Sequence, residues 1–275
     1  MTATPPLAPP GVDPNVASPA RLYDYYLGGT TNFEVDRVMG ERLRAALPDL
    51  YDGAWANRGF HQRAACWMAE QGIRQFIDIG SGLPSQGNTH EAVRKVRPDA
   101  RVVYVDIDPM VLSFADQLLA GTEGTRVITA DMRDPDAVLN NPDLRGLIDL
   151  GEPTGLLMTA VLHFVAGGSN PRGLVARYTN ALVPGSYVAL SHATADKLPA
   201  HSAKAIYETY EHASEKIHLR PRAEFERFFD GLDLVEPYEG AEPGITYVGR
   251  WGAEDPEAAD SDGSRILYCG VGRRR

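Results

Sequence analysis

From residue 74 onward the chain alternates short apolar runs with helical segments. The runs are RQFIDIG, RVVYVDID, TRVITAD, TGLLMTAV and GSYVALSHA; GNTHEAVRKV, PMVLSFADQLLA, PDAVLNNPDLRG and NPRGLVARYTNAL separate them. Apolar strands alternating with helices of this length indicate βαβ units and a parallel sheet buried on both faces. A longer helix is expected over Ser202–Lys216 and a short one over Arg222–Phe229. DLVEPY and RILYCGVG supply two further strands, seven in all. Residues 239–264, rich in Gly, Pro, Asp and Glu, read as a long loop. Its acidic part, Glu254–Asp262, reads most simply as solvated, or else as a flap over a substrate pocket.

The N-terminal quarter follows a different rule. Five prolines in the first 17 residues and little apolar content predict a disordered tail over 1–17. Ser18-Pro19 then starts a helix, Ser as N-cap and Pro at the first helical position, which stops at Gly28-Gly29. Helical spacing continues from about Phe33 to Leu47 and from about Trp55 to Gln71. The domain reading is therefore a tail over 1–17, a helical cap over 18–72 and an α/β domain over 73–275.

The glycine turn Asp78-Ile79-Gly80-Ser81-Gly82 joins the first strand to the next helix. Glycines let the backbone approach a ligand closely, and the helix start presents unpaired N–H groups. A dinucleotide fingerprint wants a third glycine, and that position holds Ser85. Asp78 at the strand tip suits a ligand ammonium group and opposes a pyrophosphate. Asp106, 24 residues past Gly82, can accept both hydroxyls of a ribose. Asp131 can accept from an adenine amino group, with Met132 or Ile107 against the ring. Asp capping a helix is the ordinary explanation for any one of them; three at successive strand tips exceed it.

These residues resemble the motifs of class I S-adenosylmethionine (SAM)-dependent methyltransferases: Asp78–Gly82 motif I, Val105–Pro109 the post-I segment, Ala130-Asp131-Met132 motif II, Leu162-His163-Phe164 the segment after strand four, and Val183–Ser186 the turn before strand five. ARLYDYYLGG at 20–29, with Asn32-Phe33, Asp36-Arg37, Asn57–Phe60 and Gly87–Glu91, is similar to the signature of one bacterial SAM-dependent methyltransferase family first described as a domain of unknown function. The resemblance implies a Rossmann-like, mostly parallel sheet with its last strand antiparallel, flanked by helices and carrying the N-terminal helical cap. It also implies SAM as cofactor and S-adenosylhomocysteine (SAH) as product. Expected cofactor contacts are Asp78, Gly80, Ser81, Gly82, Asp106, Ile107, Asp131, Met132, and Ala160 and Val161 leading out of strand four. The polar cluster Arg21, Tyr23, Asp24, Tyr25, Asn32, Asp36, Asn57, Arg58 is either a solvated helix face or a lid. As a lid, Arg58 binds the methionine carboxylate and Tyr23 or Tyr26 covers the sulfonium.

Methyl displacement at a sulfonium needs alignment more than a catalytic motif. The candidate bases are His163, after strand four, and His192, at the end of strand five; a buried structural histidine is the competing explanation for both. Tyr207 and Tyr210 share a helix face that could line a pocket. With 37 acidic and 27 basic residues the net charge is −10, which disfavours nucleic acid and anionic membranes as partners. Two cysteines are too few for a zinc site, so no metal is expected. No apolar run approaches a membrane span, and no secretory signal is read at the start, so a cytoplasmic location is expected. The leading reading is an enzyme methylating a small molecule; a SAM-binding regulator and an NAD-dependent oxidoreductase are the alternatives. The acceptor and the oligomeric state stay open.

Overall fold

The computed structural model describes residues 8–84, 87–119 and 122–275. In chain order the elements are α1 (Pro19–Tyr26), α2 (Glu34–Ala46), α3 (Leu50–Glu70), β1 (Gln75–Ile79), α4 (Thr89–Val93), β2 (Arg101–Asp106), α5 (Pro109–Leu118), β3 (Thr125–Thr129), α6 (Pro135–Leu139), α7 (Pro142–Arg145), β4 (Gly155–Met158), α8 (Pro171–Asn180), β5 (Tyr187–Ala193), α9 (Ala200–Tyr210), α10 (Arg222–Glu226), β6 (Leu232–Leu234), β7 (Thr246–Tyr247) and β8 (Leu267–Arg274).

The sheet has the order β3-β2-β1-β4-β5-β8-β6, with β7 also paired to β8. The first five strands are mutually parallel, and β8 runs antiparallel to β5, β6 and β7. This is the expected sheet with an eighth strand. The addition, β7, lies inside the predicted loop and pairs Thr246 with Cys269. Period-two alternation sends Phe76, Val102, Leu157, Ala189 and Cys269 into one core layer, with α1–α3 and α9. Ile77, Val103, Leu156, Val188 and Tyr268 enter the opposite layer.

Several boundaries differ from expectation. Helix α3 begins at Leu50 rather than near Trp55, and α9 ends at Tyr210 rather than Lys216. The segment 239–264 is a loop over most of its length, but residues 245–251 fold inward. Arg63 of α3 donates from Nε to the Trp251 carbonyl (2.7 Å) and from Nη2 to the Val248 carbonyl (2.8 Å), and Trp251 is buried. Of the predicted tail, residues 1–7 lie outside the described residues. In the remainder Ala17 is buried, and its carbonyl accepts from Ser214 N–H at 2.9 Å.

The N-terminal polar cluster is interior, so a solvated helix face is not what the structure shows. Asp36 is wholly buried and accepts from Arg21 Nε (2.8 Å), Phe33 N–H (2.9 Å) and Ser18 N–H (3.1 Å), locking α1 to α2. Asp24 accepts from Thr31 N–H and Asn32 Nδ2 and closes the turn after α1; a Cβ on Gly29 would overlap its carboxylate.

Candidate functional site

The strand order reverses between β1 and β4, so the loops leaving their carboxyl ends diverge and open a crevice. A cavity of about 510 Å³ occupies it. Its walls include Tyr23, Tyr26, Arg58, Asp78, Gly80, Ser81, Gly82, Asp106, Ile107, Asp131, Met132, Ala160, Val161 and His163. The structure thus brings together every residue singled out as a cofactor contact. Of the two candidate bases only His163 joins them.

The glycine turn is built for close approach. Gly80 and Gly82 have φ of +68° and +66°, the left-handed region that side chains disfavour. A Cβ on Gly80 would overlap Val161, whereas one on Gly82 would meet nothing within 4 Å. Gly82 N–H donates to Asp106 Oδ2 (2.8 Å) and Asp108 N–H donates to Asp106 Oδ1 (3.0 Å). Both carboxylate oxygens are therefore held by backbone, each with lone-pair capacity left over. Burial pushes the Asp106 carboxyl up to about 6. Asp108 instead caps the start of α5 through Met110 N–H and accepts from Ser18 Oγ at 2.8 Å, tying α1 to the end of β2.

A buried relay under the turn involves a residue that sequence reasoning missed. Thr89 Oγ1 donates to Asp78 Oδ2 (2.6 Å), so its lone pair accepts from His61 Nε2–H (2.7 Å), and His61 Nδ1 accepts from Thr159 Oγ1 (2.8 Å). Burial holds His61 down to about 3, neutral, and lifts Asp78 to about 6 against the pull of Thr89 and Arg58. Asn57, Arg58 and His61 are polar residues at helical spacing on a largely apolar helix, and that was the available signal.

Ala160 has φ +53° without being glycine. Its N–H donates to Ser191 Oγ (2.9 Å), Ser191 Oγ donates to Asn57 Oδ1 (2.5 Å), and Asn57 Nδ2 donates to Tyr23 Oη (2.8 Å). A strained residue fixed by a hydrogen-bond chain from two neighbouring elements marks a positioned site. Two polar atoms on the cavity wall, Tyr26 Oη and Ser81 Oγ, are buried without a hydrogen bond among the described residues. Arg58 is also buried and donates from Nη2 to the Gly87 carbonyl at 3.1 Å. At the far end Arg133 bridges Asp131 (Nε–Oδ1 2.8 Å) and Glu215 (Nη1–Oε2 3.0 Å).

His192 lies away from the cavity. Its Nδ1 donates to the Ala193 carbonyl (2.8 Å), its Nε2 accepts from Arg220 Nη1 (2.7 Å), and it packs between Phe225 and Phe228. With both nitrogens engaged in the opposite core layer, it is a structural histidine. His163 Nδ1 accepts from Ala193 N–H (3.3 Å), which leaves the proton on Nε2. Burial and Arg220 lower it to about 3. Toward the cavity it is a neutral group rather than a base. Tyr210 is on the wall, while Tyr207 is exposed. No residue of Glu254–Asp262 lines the cavity. Among the described residues no three His, Cys, Asp or Glu side chains gather as a metal site, and no helix is long and apolar enough to cross a membrane.

Residues 6–275 match the profile of a family described as S-adenosyl methyltransferase. The chain belongs to that family. Its reaction is methyl transfer from SAM, and the methyltransferase has close relatives among solved structures. A candidate methyltransferase of Thermobifida fusca YX is 39% identical, covers 97% of this chain and 98% of its own, and superposes with a TM-score of 0.88. A DUF574-family protein of Streptomyces avermitilis MA-4680 is 37% identical, covers 96% and 99%, and has the same TM-score of 0.88. No curated protein matches the methyltransferase.

The wall chemistry fits this cofactor. SAM presents a diol, an ammonium, a carboxylate and a sulfonium; the cavity presents a backbone-anchored carboxylate, a second buried carboxylate, a guanidinium and two tyrosine rings.

Proposed function

We propose that the methyltransferase transfers the methyl group to a small-molecule acceptor by direct displacement. The observation that carries this reading is the convergence of Asp78, Asp106 and Asp131 on one cavity of about 510 Å³. Asp106 is the ribose acceptor. Ile107, Met132 and Asp131 frame the adenine, Asp78 and Arg58 take the amino-acid ammonium and carboxylate, and Tyr23 and Tyr26 flank the sulfonium. Bound there, SAM supplies a methyl on an already activated sulfonium. What the chain adds is orientation: the Ala160–Ser191–Asn57–Tyr23 relay fixes the wall between β4 and the helical cap, and effective alignment can contribute about 7–11 kcal/mol. We further propose that residues 18–72 act as the cap over an α/β unit spanning 73–275, since α1 and α3 supply wall residues.

His163 turns a protonated Nε2 toward the cavity and His192 lies away from it, so neither is assigned as a general base. Incubation with SAM and neutral phenol or amine acceptors should release SAH above the acceptor-free rate. His192→Asn should leave the rate per folded molecule within about twofold. A loss of about 10²-fold or more in that variant, the size of a lost general base, contradicts the assignment. SAM bound yet recovered intact with every acceptor favours a regulator.

Cofactor affinity should depend on pH. Asp78 and Asp106 each titrate near 6 in the free protein, so protons compete with the ligand below that value. Between pH 7.5 and 5.0 the Kd for SAH should rise about tenfold for each carboxylate that must ionise. Calorimetric titrations at the two values check this. Stability of the free protein runs the other way. A carboxyl with a raised value favours the fold below its unfolded value of about 3.9, and that contribution is lost as pH rises through about 6.

A further inference from the structure

The cavity is chemically divided. Its charged wall residues come from the strand tips, α3 beyond its first turn, the segment around 13–21 and the 214–215 turn. The wall made by α2, the first turn of α3 and α9 carries none: Leu43, Leu47, Leu50 and Ile206 form it, in one continuous core layer, with Tyr26 and Tyr210 as its polar members. Ser202 Oγ donates to the Ala46 carbonyl (2.6 Å), pinning α9 to α2, so this wall is preformed. Tyr26 Oη is the unusual atom on it. The side chain lines the cavity and is 4% exposed, and its hydroxyl is buried with no polar neighbour among the described residues other than the Tyr210 hydroxyl, so the pair has hydrogen-bonding capacity left over. Tyr210 Oη lies beside it, and burial holds both phenols neutral. A buried hydroxyl beside an apolar wall gains most from a guest that returns one hydrogen bond and brings no charge.

We propose that this apolar half is the methyl-acceptor site and that it takes an uncharged, largely apolar molecule whose single polar group hydrogen-bonds Tyr26 Oη. The inference rests on the cofactor reading above for the other half of the cavity. The Tyr26 ring then faces the sulfonium and its hydroxyl faces the acceptor, and a charged acceptor is excluded because nothing on this wall can pair it.

The test uses three probes that share one bicycle and differ in charge: 1-naphthol, 1-naphthoate and 1-naphthylmethylammonium. Each is titrated calorimetrically into the full chain saturated with SAH. Naphthol is expected to bind at least tenfold more tightly than either ion. Tyr26→Phe should weaken naphthol about tenfold and leave naphthalene unchanged. Leu47→Trp and Ile206→Trp, on different elements of this wall, should abolish naphthol binding while holding SAH affinity within twofold, and retained SAH binding certifies that the variant is folded. The proposal is overturned if either ion matches naphthol, if naphthol does not bind at millimolar concentration, or if both tryptophan variants lose SAH along with naphthol. Failure of the wild type to bind SAH sinks the cofactor reading instead. Naphthol titrated into the free protein then still decides the charge preference of this wall.

Discussion

Asp106→Ala is expected to weaken SAH binding by about 10²–10⁴-fold, the largest effect of any single polar substitution in the cavity. Each hydrogen bond from a ribose hydroxyl to an ionised, partly desolvated carboxylate contributes about 1.5–3 kcal/mol, and a diol makes two. The carboxylate needs little reorganisation on binding, because Gly82 and Asp108 N–H groups already hold its two oxygens. Those N–H groups lose their acceptor in the variant, so the turn loosens as well. Asp106→Asn separates the two contributions. It keeps one acceptor for the backbone, should retain the fold, and should still lose about tenfold or more in affinity. Calorimetry with SAH reads both variants, and an unchanged Kd in Asp106→Ala would remove Asp106 from the cofactor site.

Gly80→Ala is expected to cost about 2–5 kcal/mol of stability. Two causes add: the left-handed backbone costs an alanine about 1–2 kcal/mol, and forcing a methyl into an occupied position costs about 1–3 kcal/mol. The occupied position is the side chain of Val161, which approaches Gly80 from the loop after β4. Val161→Gly removes the obstructing atoms but not the backbone strain. In the double variant Gly80→Ala/Val161→Gly the overpacking part should disappear, leaving the two changes coupled by about 1–3 kcal/mol. Denaturant unfolding of the four proteins measures the coupling. Strict additivity would show that the turn and the β4 loop do not meet.

The fold was legible where local pattern and tertiary role agree. The runs ending in Asp78 and Asp106 are buried on both faces, the edge run before Asp131 buries only Thr125 and Ile128, and all three bring their tips to one edge of the sheet, so pattern alone gathered three carboxylates at the crevice. His192 also ends a strand, but period two turns it away from the crevice. His192 shares a face with Val188 and Leu190, which enter the layer opposite the cap, while Ser191 faces Asn57. His61 stayed invisible because its partners, Thr89 and Thr159, lie 28 and 98 residues away. The short strand β7 was lost for a related reason. Arg63, 185 residues earlier, holds the chain just after it, and a two-residue strand carries no periodic signal of its own. The acceptor wall is likewise non-local. Leu47 and Ile206 become neighbours only when α9 docks on α2.

The most direct test of the central claim is calorimetric titration of the purified chain with SAM, SAH and NADH. Micromolar binding of SAM or SAH at pH 7.5, lost in Asp106→Ala and not seen with NADH, is the predicted result. Binding of NADH in place of either sulfur nucleotide, or no binding of SAM and SAH to folded protein, would contradict it.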